Sequence, residues 1–281
     1  MIRPMAEVTF RDLQKGLRDL GLGPNSRVVV HASLPALGSV RGGVETVVGA
    51  LTTQLGLVVM PAFTPQCRVW PRVGPPHNAQ SYAGHDEENA NAEIFRSDLP
   101  VDPSLGAAAE SLRRVPGAVR SAHPLYSFTF VGGSAGLAAA AQSLSEPFGP
   151  LAHLAESGLD ADMLLLGADQ TANFAVHFAE ARAGRKQFVR WALTPRGVVE
   201  CLGCPGCPDG FNALTPIVRS FSQVVQIGTA RVERLPLNEL LRTVETLIRH
   251  DPMALLCSRT ACERCGAVRT VLAALGSVVP A

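Results

Sequence analysis

Asn173, His177 and Glu180 lie four and three residues apart, a spacing that puts all three on one stripe of a helix. A histidine there can serve as a general base, because its ordinary pKa lies near neutrality. Glu180 can fix the imidazole tautomer and support the protonated ring, or it can face a cationic substrate. Asn173 can hold a substrate hydroxyl or a backbone group. A solvated helical face with an incidental histidine has the same spacing, so the stripe gains meaning only from its position. The apolar run Asp162–Gly167 reads as a buried strand leading straight into it. That places the stripe near the carboxyl ends of sheet strands, where open α/β sheets bind ligands.

A second constellation is the loop Ser33-Leu34-Pro35-Ala36-Leu37-Gly38-Ser39-Val40-Arg41-Gly42-Gly43, between the strand Arg27–Ala32 and a helix from Val44 to Leu55. Free backbone N–H groups and the positive end of a helix dipole meet there, which suits an anion such as a cofactor phosphate. Glycine-rich strand–helix turns with nothing bound look the same. A third is Arg120-Ser121-Ala122-His123-Pro124-Leu125-Tyr126-Ser127-Phe128. Its arginine can meet a phosphate, or the whole can be a polar loop held by local hydrogen bonds.

Six of the seven cysteines gather in the last third of the chain: Cys201, Cys204 and Cys207, then Cys257, Cys262 and Cys265. An odd count without an export signal points away from a disulfide framework. Two Cys-x-x-Cys pairs, Cys204 with Cys207 and Cys262 with Cys265, can complete a tetrahedral zinc site if the fold brings them together. The alternative is a set of buried small hydrophobes. Cys67 is a conceivable acyl acceptor, but no activating partner is evident.

The elements that must position these groups are legible as alternation. Thr9 caps a short helix through Leu20; Leu57–Pro61 is a strand; residues 68–91 form a Pro-, Gly- and Asn-rich surface excursion. A short helix over 105–114, a strand over 126–131, an alanine-rich helix over 135–144 and a further helix over 151–157 follow. After the helix over 172–182 come a hairpin across Thr194–Gly197, a strand within 224–235, a helix from Pro236 to Arg249 and a closing helix over 261–275. Continuous apolar strands alternating with helices favour a mainly parallel sheet covered on both faces, with antiparallel additions late in the chain. The chain has 281 residues, 47% of them hydrophobic, enough for one large α/β domain. We read residues 1–281 as a single domain whose Cys-rich part covers about 201–265.

Net charge is +1 and aromatics make up 5% of the chain, which argues against nucleic acid as the partner. No apolar run is long enough to span a bilayer and no secretory leader is evident. The expectation is a cytoplasmic protein without a membrane partner; a homodimer stays open.

Taken in order, His31-Ala-Ser33-Leu34 through Gly38 and Gly42-Gly43, Met60-Pro61, Pro116-Gly-Ala-Val-Arg120-Ser121-Ala-His123-Pro124 with Ser127-Phe128, Leu165-Leu166-Gly167, and Asn173 through His177 to Glu180 resemble the aminoglycoside 3-N-acetyltransferases, part of a wider group of antibiotic N-acetyltransferases. The match covers most of residues 10–235. The resemblance implies a three-layer α/β/α fold with a mixed central sheet, and acetyl transfer from acetyl-coenzyme A to an amine. It implies coenzyme A against His31, Ser33, Leu34, Leu37, Gly38 and Val40, and against Arg120, Ser121, Ser127 and Phe128. It makes His177 the catalytic residue and puts Glu180 in its charged network. Apart from the resemblance, Asp169 can attract a polycationic substrate, and Asn173 stays on the substrate side as read from its residue type.

A neutral imidazole can take the proton of an ammonium group, and the free amine then attacks the thioester. Backbone N–H groups of the first loop or the Ser127 hydroxyl can donate to the oxyanion. Phe174 departs from the small hydroxylated residue common at that place in resistance enzymes. Residues 168–171 depart too. The acceptor is left open among aminoglycosides, peptide antibiotics, nucleotide-linked amines and biosynthetic intermediates. A relative without catalysis, binding a small molecule or a partner through a zinc-stapled C-terminal region, is the alternative.

Overall fold

The computed structural model describes residues 7–276. Ten strands are present in the described residues: β1 (Arg27–Ala32), β2 (Leu57–Pro61), β3 (Arg68–Val69), β4 (Val119–Arg120), β5 (Phe128–Gly132), β6 (Ala161–Leu166), β7 (Phe188–Thr194), β8 (Gly197–Cys204), β9 (Gln223–Ile227) and β10 (Ala230–Pro236). The helices are α1 (Phe10–Asp19), α2 (Gly43–Gln54), α3 (Asp86–Ala90), α4 (Ala107–Arg113), α5 (Ala135–Ala140), α6 (Gly149–Glu156), α7 (Phe174–Arg182), α8 (Thr215–Val218), α9 (Leu237–His250) and α10 (Glu263–Gly276).

Seven strands form one sheet in the order β4-β5-β2-β1-β6-β10-β9. The central pairs β1–β2 and β1–β6 are parallel, and the pairs outside them are antiparallel. The mixed central sheet that the resemblance implies is therefore present, but the mainly parallel sheet expected from alternation is not: the antiparallel strands flank the parallel centre on both sides, and β4 and β5 join well before the end of the chain. Alternation along the central strands divides the core. Val29, Val59, Met163 and Leu165 face α5, α6, α7 and α9. Val28, Val30, Val58, Met60, Leu164 and Leu166 face α1, α2 and α4. A sheet buried on both faces needs apolar residues at every position, which explains the unbroken Val/Leu runs.

Several boundaries differ from the sequence reading. The alanine-rich helix ends at Ala140, because the chain turns at Gln142, whose amide donates to the Tyr126 and Pro147 carbonyls. The late strand is a hairpin, β9–β10, turning at Gly228 with φ of 58°. The excursion over 68–91 holds two elements: β3 pairs with β7 in a separate three-stranded sheet, β3-β7-β8, and α3 follows. That small sheet and α10 enclose their own core around Cys67, Phe188, Cys201 and Cys204. Among the described residues, no helix is long and apolar enough to cross a membrane.

Candidate active site

The carboxyl ends of β1, β2 and β6 open on one cavity of about 530 Å³, lined among others by His31, Ser33, Phe63, Tyr126, Phe174 and His177. Topology puts it there: parallel strands leave their carboxyl ends on the same edge, and the connections must diverge around it. The helix α7 that follows β6 supplies the imidazole. Every residue from Phe174 to Glu180 is buried, so this helix is held by packing on all sides rather than by one apolar stripe.

His177 is 5% exposed and Glu180 3%. The His177 Nδ1 lies 2.7 Å from Glu180 Oε2. Glu180 Oε1 accepts from Arg185 Nη1 at 2.6 Å, and Arg185 Nη2 donates to the carbonyls of Pro252 and Ala254 at 2.9 and 2.7 Å. The carboxylate thus takes Nδ1–H and leaves the Nε2 lone pair as the ring's open position. No protein group among the described residues hydrogen-bonds that nitrogen, and the ring lines the cavity. Phe211 and Phe174 stand edge-on to the imidazole, with centroids 4.7 and 5.7 Å away, which thins the water around it. A buried Glu alone is costly; Arg185 compensates its charge and fixes its second oxygen.

His31 plays a different part. Its Nε2 accepts the Phe174 N–H at 3.3 Å, occupying one of the open donors at the start of α7. Burial alone holds its pKa down at about 4, so it is neutral near pH 7. The nearby Ser33 lines the cavity, and its hydroxyl has no hydrogen bond to the described residues. It is a free donor at the carboxyl end of β1.

Of the ten residues expected along coenzyme A, His31 and Ser33 line this cavity; the others stand outside it and are engaged elsewhere. Leu37 is core. Leu34 packs on that same core, Gly38 closes the short 3-10 turn Leu34–Leu37, and Val40 bridges to Val8. Arg120 spends its donors on the Ser127 hydroxyl and the Ser97, Leu99 and Ala62 carbonyls, so it latches three segments together. Ser127 is wholly buried and donates to the Ala62 carbonyl at 2.6 Å; it has no proton left for an oxyanion. Ser121 accepts the Phe128 N–H at 2.8 Å, and the Phe128 ring is core.

The two substrate-side residues are also engaged. Asn173 is fully buried and donates to Gln170 Oε1 at 2.9 Å, and Gln170 donates to Glu233. Asp169 accepts from the Thr171 N–H and from Asn212 Nδ2, each at 3.0 Å. It stands at the rim, between the lining residues Ala168 and Thr171. Cys67 is unsuited to carry an acyl group, because burial pushes its thiol up to about 11.

The cysteines assemble, with one correction. Cys207, Cys257, Cys262 and Cys265 bring their sulfurs within 4.8 Å of one another. Cys204 is not among them: it ends β8, packs in the core of the small sheet, and its thiol contacts the Cys201 carbonyl at 3.3 Å. Cys257 takes the fourth place in the cluster instead.

Sequence reasoning missed Arg185, Phe211 and three arginines on the cavity wall: Arg68, Arg190 and Arg264. Arg185 follows the helix end at Gly184, whose φ of 80° reverses the chain. An arginine just past such a reversal, five residues after a buried Glu, is the signal that could have found it. Nothing local marks the other residues.

Comparison with known proteins places this arrangement. The family model for aminoglycoside 3-N-acetyltransferase matches residues 29–248. Aminoglycoside N(3)-acetyltransferase VII of Streptomyces paromomycinus is 36% identical over 193 residues, 65% of this chain and 64% of its own length. Aminoglycoside N(3)-acetyltransferase III of Salmonella sp is 30% identical over 249 residues, 73% of this chain and 78% of its own. Among solved structures, the apoenzyme of aminoglycoside acetyltransferase AAC(3)-IVa superposes with a TM-score of 0.77 at 25% identity, over 95% of this chain and 99% of that one. A binary complex of AAC-IIIb with CoASH has the same fold, with a TM-score of 0.71 at 20% identity, over 87% and 97%.

Proposed function

Because the chain belongs to the aminoglycoside 3-N-acetyltransferase family, we propose that it transfers an acetyl group from acetyl-coenzyme A to an amine, with His177 as general base. The observation that carries this is the His177–Glu180–Arg185 relay, which leaves Nε2 as the one open nitrogen of a ring on the cavity wall. In the reaction, Nε2 takes the proton of the acceptor ammonium. The amine attacks the thioester carbon. The tetrahedral oxyanion takes a hydrogen bond from the Ser33 hydroxyl or a backbone N–H of its loop. As the C–S bond breaks, the imidazolium returns its proton to the departing thiolate, and the attacking nitrogen releases its surplus proton to water to become a neutral amide. The electron pair therefore ends on sulfur and the ring is reset.

A cavity of about 530 Å³ suits the acetyl–pantetheine end and a small acceptor. The remainder of coenzyme A lies beyond it, and the whole described chain works as one acyltransfer unit. Aminoglycosides and related natural-product amines are the acceptor classes that the relatives' names support. Thiol release from acetyl-coenzyme A, followed across a panel of such amines, tests the reading. Amine-dependent release supports it, and silence across the panel favours the relative without catalysis.

The cysteine cluster belongs to the same reading as a structural zinc site. Four thiolates at Zn–S distances of about 2.3 Å stand about 3.8 Å apart, inside the 4.8 Å within which the four sulfurs lie here. Without a cation, burial and the neighbouring sulfurs push Cys207 up to about 12; a bound dication reverses that balance. The test is metal content of the purified protein.

A further inference from the structure

Resting on that acyltransfer reading, we propose that Arg68, Arg190 and Arg264 form an anion subsite in the active-site cavity, and that the acceptor amine carries a phosphate or carboxylate that binds there. The three arginines line the same cavity as His177, reaching it from β3, β7 and α10, and among the described residues Asp102 is the only acidic one on that wall. Asp102 is itself engaged with the Ser104 N–H.

Among the described residues, none of the three arginines forms an ion pair, unlike most arginines of the protein. Arg190 is only 2% exposed, yet its hydrogen bonds run through Nη1 alone, to Asn78 and Val189. Arg68 donates through Nη2 to Gln80, while its Nε is buried without a partner. Arg264 donates through Nη1 to the Gly206 carbonyl. Grouping three cations in a half-buried wall is costly, and each remaining donor raises that cost, unless an anion arrives to take them. Among the natural-product amines of the proposed function, this wall favours those that also carry an anion.

Coenzyme A also carries phosphates, but its pantetheine arm separates them from the sulfur. With the thioester at His177, they fall outside a cavity of this size. The anion within reach is the acceptor's own. Arg264 sits between Cys262 and Cys265, so the cysteine cluster holds one member of the trio in place.

Binding of inorganic phosphate to the full-length protein already saturated with coenzyme A tests this, in the wild type and in Arg68→Gln and Arg264→Gln. Both side chains are half-buried with a single hydrogen-bond partner, and thermal melting confirms that each variant folds. The expected result is phosphate binding alongside coenzyme A, weakened about tenfold or more in each variant, with coenzyme A affinity unchanged. Acetyl transfer to glucosamine 6-phosphate should exceed that to glucosamine in the wild type and lose this advantage in the variants. Phosphate affinity untouched by both substitutions overturns the subsite. Displacement of phosphate by coenzyme A, with weaker coenzyme A binding in the variants, overturns the assignment to the acceptor. Absence of thiol release with every amine, with phosphate still bound by the arginines, sinks the acyltransfer reading and leaves the anion site standing.

Discussion

The His31 Nε2 accepts the backbone N–H of Phe174 at 3.3 Å, so the first strand caps the helix that carries His177. A contact spanning 143 residues thereby fixes where the proposed base begins. Asn173, the residue just before that helix, makes no side-chain cap and is turned toward Gln170 instead.

This contact makes stability depend on pH. Folded His31 stays neutral down to about 4, whereas the unfolded residue protonates near 6.5. Between those values the unfolded chain holds the extra proton, so stability rises with pH across the window and is complete above it. The buried ring contributes on the order of 3 kcal/mol by this linkage. His123, also held at about 4 by burial, adds a second contribution of the same sign. In urea melts, His31→Leu should be less stable than the wild type at pH 7 by about 1 kcal/mol for the lost cap. Its stability should fall less steeply from pH 7 to 5. Parallel curves for the two proteins would remove the argument.

Arg185 compensates the carboxylate that orients His177. Arg185→Met should cost about 3 kcal/mol, because it strands a buried charge. Glu180→Gln should lower kcat by about tenfold to a hundredfold, since the ring loses its orienting partner. The double variant should recover part of the stability lost in Arg185→Met, but not the activity. Additive losses in stability would show that the pair is not coupled.

Arg120 is a latch. Arg120→Met should lower stability by about 2 kcal/mol, because it leaves buried carbonyls without donors. Its KM for acetyl-coenzyme A should stay near that of the wild type. A large rise in KM with unchanged melting would restore the phosphate role that its sequence neighbourhood suggests.

The corrected cysteine set separates two nearly identical substitutions. Metal content should drop in Cys257→Ser and persist in Cys204→Ser. Chelation of the wild type should lower its melting temperature, and zinc should restore it. Equal metal content in both variants would dissolve the assigned site.

What could be read from the sequence follows from how local each signal is. The central strands declare themselves as apolar runs, and the stripe through His177 and Glu180 as helical spacing. Arg120 misleads because a guanidinium that binds phosphate and one that binds carbonyls look alike in sequence; its carbonyl partners lie 21 to 58 residues away. Cys204 misleads because Cys-x-x-Cys spacing carries no record of a strand ending between the two sulfurs. The three arginines of the cavity wall come from elements nearly 200 residues apart along the chain, and no local pattern joins them.

The most direct test of the account is steady-state acetyl transfer by His177→Ala beside coenzyme A binding by the same variant. The account predicts a loss in kcat of about a hundredfold or more with coenzyme A affinity retained. Turnover within about tenfold of the wild type, in a variant that still binds the cosubstrate, would contradict it.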